Sequence, residues 1–355
     1  NTDPSQSLPL YDLLILGASG FTGKYVVKES FKFLNVPSSP LKSLALAAHP
    51  QLCRPFRLLG ETVVAACSET GCDYLDICGE PEFMERMDVK YHEKAMETDS
   101  LVVSASGFDS VPAELGWMFN SKQWVVPAAP SQIEAYLSLE SDKRIVGNFA
   151  TYESAVLGVA NVEQLVELRR SRPKRAKPAI PGSFPPKGPM IDHQKEICLW
   201  AVKLLSADSV VVCRTLTTLT ENPRGLPGVN ESPEQIKKRE AFWSTIKPAH
   251  FSVKLGSKTL LGILRFITVG MFISLLGRNA IERWLLLKFP SFFSLGWFRK
   301  KGPSEDEVRS ASFKMLFIGR GFSDTNVSQD RMKPDMEIIT RVMGPEIAYL
   351  TTPII

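Results

Sequence analysis

Seven residues near the start, Gly17-Ala18-Ser19-Gly20-Phe21-Thr22-Gly23, have the make-up of a loop that holds a pyrophosphate. Glycines let backbone N–H groups come close to phosphate oxygens, and the N-terminus of a following helix adds a dipole that favours negative charge. The flanks agree: Tyr11–Leu16 is an apolar run that reads as a strand, and Lys24–Phe31 spaces its apolar residues helically. The spacing is GxxGxxG, a variant of the GxGxxG fingerprint, and the competing reading is a tight structural turn. Leu41–Ala48 reads as the next parallel strand. It leads into Ala48-His49-Pro50, which offers neither a carboxylate for a ribose 2′-OH nor an arginine for a 2′-phosphate, so neither NAD nor NADP is selected. His49 beside a proline reads as a surface-loop residue rather than a phosphate contact.

Further candidates lie where parallel strands end. Asp76, Glu80 and Glu82 follow one apolar run, and a carboxylate pair there suits general acid/base work. Glu82 also suits the first turn of a helix opened by Pro81. Asp109 and Ser110, after another short strand, either cap the next helix or line a cleft. His92 reads as a solvated helix residue, and His193 and His250 stand apart from any ligand pattern, so no metal is expected. Cys67 and Cys78 read as packed thiols rather than nucleophiles.

These residues need elements to position them. The chain continues with an expected helix at Glu61–Thr70, a strand at Tyr74–Ile77, a helix at Pro81–Glu97 and a strand at Leu101–Ser104. That makes four strands before Phe108, where a two-half dinucleotide fold has about six; material is expected to be missing between Ala48 and Pro55. Gln132–Glu140 alternates as a half-buried strand, Thr151–Leu168 reads as a helix and Ser209–Leu219 is β-branched enough for a strand. Ser232-Pro233-Glu234-Gln235 has the form of a capping box with proline at the first helical position. The expected fold is thus α/β plus α+β. A Rossmann-like parallel sheet, incomplete, occupies residues 10–120, and a mixed-sheet domain occupies 121–355.

Two stretches of the second domain stand out. Residues 168–190 form a proline-rich loop carrying Arg169, Arg170, Arg172, Lys174, Arg175, Lys177 and Lys187 without an acid. It reads either as a solvated loop or as a contact for anionic headgroups. Residues 259–298 are strongly apolar. Leu260–Gly277 is interrupted only by Arg265 and is borderline for a span, which takes about 20 apolar residues. Trp284, Phe289, Phe292, Phe293, Trp297 and Phe298 then run into Arg299-Lys300-Lys301, a pairing suited to a headgroup boundary. Leu260–Phe298 reads as a hairpin entering one leaflet or a lipid-droplet surface, or else as a buried core.

Composition bounds the rest. The 355 residues, 44 % hydrophobic and 23 % charged, describe a folded protein rather than a disordered or polytopic one. A net charge of +4 argues against nucleic acid as a partner. Six cysteines without a CxxC pair read as reduced thiols, and Asn1–Leu10 has no secretory pattern, so a cytosol-facing location is expected. The sequons at Asn230 and Asn326 then carry little weight.

Four stretches together resemble a known family: Leu14–Gly23 (LILGASGFTG), Asp73–Glu80 (DYLDICGE), Ser106–Pro112 (SGFDSVP) and Leu287–Pro290 (LKFP). They resemble the saccharopine dehydrogenase-like oxidoreductases, in a eukaryotic, plant-like form, along essentially the whole chain. The resemblance implies a Rossmann domain, a second mixed-sheet domain, hydride transfer with NADP or NAD, and association with membranes or lipid droplets in lipid or glycolipid metabolism. Carried over residue by residue, Gly17, Ser19, Gly20, Phe21, Thr22 and Gly23 match the family's dinucleotide loop. The departures matter as much. The family usually ends its second strand in Gly-Arg and passes an Asn-Cys-Val-Gly-Pro-Phe loop over the cofactor, whereas here only Arg54–Gly60 matches the tail of that stretch. The chain also ends at Ile355, where the family runs on into a helix and a strand. An internal deletion and a C-terminal truncation are therefore expected, with impaired cofactor binding and unassigned catalytic residues. The alternative function is a non-catalytic lipid-surface protein that keeps an incomplete Rossmann shell. No residue set is found to read the several carboxylates of saccharopine itself.

Overall fold

A computed structural model describes residues 11–16, 18, 21–34, 36, 44–47, 55–186, 188–204, 206–228, 231–324 and 333–346. The first part runs β1 (Leu13–Leu16), α1 (Gly23–Leu34), β2 (Leu44–Ala47), α2 (Phe56–Thr70), β3 (Tyr74–Leu75), α3 (Pro81–Thr98), β4 (Val102–Val103) and α4 (Val111–Lys122). It continues with β5 (Ala129–Ser141), α5 (Phe149–Ala160), α6 (Val162–Ser171), β6 (Ile191–Gln194), β7 (Leu199–Lys203), α7 (Ala207–Glu221), α8 (Pro233–Ser244) and β8 (His250–Ser257). The last elements are α9 (Leu260–Leu276), α10 (Ala280–Lys288), α11 (Pro290–Phe293), α12 (Glu305–Ser310), β9 (Ala311–Phe322) and β10 (Met336–Pro345).

The four early strands pair in parallel, as the βα alternation requires, but as two separate pairs, β1–β2 and β3–β4. β3 and β4 contribute two residues each, a ladder too short to carry a sheet sideways into its neighbour. The β1–β2 pair is left thinly covered: Leu14 is 56 % exposed and Leu46 46 %, and Phe31 and Phe33 on α1 are also exposed.

The main sheet has six strands in the order β10-β9-β5-β8-β7-β6. It is mixed, because β5 runs parallel to β8 and antiparallel to β9. The expected strand at Gln132–Glu140 is its centre, and it is covered on both faces rather than half-buried. Ile133, Ala135 and Leu137 join the core with Trp117, Val212 and Phe317, while Tyr136 packs on the other side with Leu316 and Ile318. α4 approaches this sheet closely enough that a Cβ on Gly116 would lie 2.1 Å from Phe317 Cζ.

Two sequence expectations are corrected. Ser209–Leu219 is helical, within α7. Its β-branched run is buried from two sides: Val212 and Leu216 meet the sheet core, and Ala207 and Val211 meet the cluster around Phe83 and Cys78. Helical spacing serves both contacts, and packing overrides strand propensity. Thr151–Leu168 is two helices, broken at Asn161, whose side-chain amide donates to the Leu157 carbonyl at 2.6 Å and ends α5. The capping box opening α8 forms as read, with the Ser232 and Gln235 side chains each bonding the other's backbone.

Candidate functional site

Of the six loop residues, Gly17, Ser19 and Gly20 lie outside the described residues, as does His49. Phe21, Thr22 and Gly23 form the entry to α1. The Thr22 carbonyl accepts the Tyr25 and Val26 amides, which starts the helix there. No acid occupies the first turn of α1, and Lys24 places its ammonium 5.3 Å from the Phe21 ring centroid and 4.9 Å from that of Tyr25. β1 and β2 pair in parallel and are joined through α1, so this end of the fold has the strand, helix, strand order of a βαβ unit.

At the ends of β3 and β4 the carboxylates are committed to structure. Asp76 accepts the Cys78 amide at 2.9 Å, the Ala105 amide at 2.8 Å, the Tyr74 hydroxyl at 2.9 Å and the Ser104 hydroxyl at 3.3 Å, tying the two strand ends together. Burial pushes its pKa up, and these donors pull it back. Glu80 accepts the Phe56 and Arg57 amides at 3.1 and 3.4 Å, so it caps α2, and it takes the Ser154 hydroxyl at 2.9 Å. Burial raises its pKa as well. Glu82 sits in the first turn of α3, as expected, and pairs with Arg86 at 2.7 Å and Arg57 at 3.6 Å. The Cys78 thiol is buried and pushed up by that burial, and Cys67 is pushed up for the same reason. Both are packed thiols.

Asp109 and Ser110 do not form the expected cap. Ser110 occupies the N-cap position of α4 without a side-chain capping bond, and its buried hydroxyl has no partner among the described residues. Asp109 keeps a solvent-facing side, yet crowding by protein raises its pKa. Its carboxylate lies so near Gly79 that a Cβ there would be 2.7 Å from Oδ2. Asp208, in the first turn of α7, went unnoticed in the sequence because that stretch reads as a strand. An acid just after Ser206 was the available sign of a helix start. Asp208 is buried, accepts the Ser206 hydroxyl at 2.6 Å, and leaves Oδ1 unpartnered. Burial, then the charge of Asp109, holds its pKa well above the usual carboxylate range. The structure thus brings Asp109 and Asp208 together, while no strand pairing among the described residues joins this region to the glycine loop.

The histidines are dispersed. His92 is exposed on α3, His193 stacks on Trp200 at 4.6 Å, and His250 meets Phe184 at 4.6 Å. Among the described residues no group of three or more His, Cys, Asp or Glu comes together in a metal-binding arrangement. The basic stretch expected as a loop starts inside α6, whose last turn holds Arg169 and Arg170, and its charges are partly neutralised: Arg169 pairs with Glu85, Arg172 with Asp88 at 2.6 Å, and Arg175 with Glu221. Lys187 lies outside the described residues.

The apolar segment is α9 to α11. Its inner side packs on α5, where Tyr152, Val156 and Leu286 are buried with Phe272, Ile273 and Phe293 around them. Its outer side is open. Leu260, Leu261, Leu264, Met271 and Leu275 make an exposed stripe along α9, and Ile281, Trp284, Phe289 and Phe292 one along α10 and α11. The segment is therefore core on one face and uncovered on the other. Among the described residues no helix is long and apolar enough to cross a membrane.

No family model and no solved structure matches the chain. Among curated proteins, it is 62 % identical to a probable mitochondrial saccharopine dehydrogenase-like oxidoreductase of Arabidopsis thaliana, over 98 % of this chain and 86 % of that one. The alignment runs over 393 positions, more than the 355 residues of the chain, so the plant protein has residues inside the aligned span that are absent here. A saccharopine dehydrogenase-like oxidoreductase of Rattus norvegicus is 35 % identical over 84 % of this chain, which spans 64 % of that protein's length. A lipid droplet localized protein of Caenorhabditis elegans is 27 % identical over 96 % of this chain and 86 % of its own. On the plant and animal identities together, this chain belongs to the saccharopine dehydrogenase-like oxidoreductases.

Proposed function

We propose that the protein docks on a membrane or lipid-droplet surface, facing the cytosol, through α9–α11. There it serves as an oxidoreductase for a lipid or glycolipid substrate, with NADP or NAD held at Gly17, Ser19, Gly20, Phe21, Thr22 and Gly23. The observation that carries the reading is the open apolar stripe on α9 and α10. A leucine moved fully out of water is worth about 1.5–3 kcal/mol, so even shallow entry of Leu261, Leu264 and Leu275 into lipid supports attachment. The name of the nematode relative points the same way for that protein. The first turn of α1 contributes no acid of its own, which suits a pyrophosphate, and Lys24 there has Glu305 of α12 at 3.9 Å. The bound dinucleotide supplies the hydride chemistry, and the protein's part is to fix the phosphates and orient the ring.

Flotation tests the first half. The full chain should rise with phosphatidylcholine vesicles or triacylglycerol droplets, and L261E/L264E/L275E should stay behind with an unchanged thermal midpoint. A wild-type protein that never floats removes the lipid surface from the reading. NADPH fluorescence tests the second half, where saturable stoichiometric binding supports it.

A second reading, a non-catalytic lipid-surface protein, is favoured by two observations. β1–β2 and β3–β4 are separate pairs, and Asp76 and Glu80 are spent on backbone amides. Flotation without NADPH or NADH binding would select it.

A further inference from the structure

Two arginines beside the apolar stripe lack counter-charges. Arg144, in the connection from β5 to α5, and Arg265, on α9, each donate from Nη2 to the same acceptor, the Leu295 carbonyl, both at 3.3 Å. Their neighbours are neutralised: Lys143 pairs with Asp306 at 3.3 Å, Lys258 with Glu140 at 2.9 Å, and Arg299 with Glu307. Among the described residues neither Arg144 nor Arg265 forms an ion pair, and Asp142, two residues before Arg144, supplies none. A single neutral carbonyl thus gathers two full positive charges, which repel each other unless an anion comes between them.

The backbone is shaped for this arrangement. Leu295 and Gly296 take left-handed conformations, with φ of 52° and 80°, and a Cβ on Gly296 would lie 1.7 Å from Arg144 Nη2. At that backbone conformation glycine leaves the guanidinium room against the chain. Arg265 is braced on its other side by Trp297, whose ring centroid is 5.8 Å from its Cζ. Both side chains remain exposed, with most of their N–H groups directed to solvent or to whatever docks there.

The wider surface has the same sign. Between Leu260 and Lys301 the chain has one carboxylate, Glu282, against Arg265, Arg278, Arg283, Lys288, Arg299, Lys300 and Lys301. Lys288 lies 4.3 Å over the Trp284 ring, a cation held beside an exposed aromatic. Guanidinium forks bind phosphate oxygens two at a time, so a convergent pair selects a phosphate more strongly than scattered lysines do.

We propose that Arg144 and Arg265, converging on the Leu295 carbonyl at the margin of the apolar stripe, form a binding site for the phosphodiester headgroup of an anionic phospholipid. The inference rests on the lipid-surface reading. It adds a headgroup preference to what the apolar stripe alone would make indifferent to charge.

The test is flotation of the full chain with phosphatidylcholine vesicles, with and without phosphatidylglycerol, at fixed salt. Binding should be tighter on the anionic vesicles. That preference should fall roughly fivefold for each arginine removed in R144Q and R265Q, and about 25-fold in the double variant. Binding to neutral vesicles and the thermal midpoint should not move. R278Q, which removes an exposed charge outside the pair, should cost less than either single variant. The charge-preserving R144K/R265K should lose most of the preference, because a lysine cannot present the fork. Wild-type behaviour in R144K/R265K, or an equal loss in R278Q, overturns the site in favour of diffuse charge. Equal binding to both vesicle types overturns it while leaving the lipid-surface reading intact, and no binding to either removes both. Saturable binding of inorganic phosphate, abolished in the double variant and unaccompanied by any vesicle preference, overturns the lipid headgroup as the ligand.

Discussion

Glu80 and Asp208 are both buried carboxylates, and their surroundings give them opposite effects on stability. Glu80 takes two helix amides and a hydroxyl, so E80A leaves the start of α2 and Ser154 without an acceptor. It should cost about 1–3 kcal/mol in urea denaturation. Asp208 is crowded by Asp109 and keeps an unpartnered oxygen, and its pKa in the fold is raised. Its contribution to stability is fully present below the unfolded carboxyl pKa of about 3.9 and is lost as pH rises through the folded value. D208N should therefore be more stable than wild type at pH 8, with the difference closing near pH 4, as read from urea midpoints at the two pH values. The sequence showed Asp76, Glu80, Glu82 and Asp109 as residues worth weighing, because each follows a short apolar run. It left their roles open, since a helix cap and a cleft carboxylate have the same local pattern. The pairing of Asp109 with Asp208 joins residues on different elements, and no local spacing encodes it.

Among the elements, those with a local start signal were legible, and some whose apolar run serves more than one contact were misread. α3 and α8 carried their start signals in Pro81 and in Ser232-Pro233, and both begin there. α7 failed as an expectation because Val211 and Val212, adjacent in sequence, serve two different cores, so the apolar run masks the helical period. α9 is ambiguous in the same way, being apolar all round, and only the fold separates Ile263 and Val269, which are buried, from Leu261 and Leu275, which are not. Substitutions should follow that division. I263A should cost about 2–5 kcal/mol by leaving a cavity, whereas L261E should change stability by less than about 0.5 kcal/mol, both by thermal or urea unfolding. The contact of α4 with β9 predicts a third outcome. G116A must push back Phe317, and should lose about 1–3 kcal/mol by overpacking.

At the scale of the whole molecule, the two halves of the fold class were legible from the alternation of elements. The division into two strand pairs was not, because sheet edges are chosen by distant segments. That division has a measurable counterpart. Amides of β1 and β2, under the exposed Leu14 and Leu46, should exchange hydrogen at least about tenfold faster than those of β5 and β9, whose side chains are buried. The six-stranded sheet has a further consequence, for the order of synthesis. Its central strand pairs Ile133 with Phe251 on one side and with Gly319 on the other, so neither neighbour exists when β5 is made. At ordinary elongation rates β5 waits on the order of 10 seconds or more for β9 to leave the ribosome. Both edges of β5 stay open until β8 is made and one stays open until β9 follows, so the strand is available to misfolding partners for that interval.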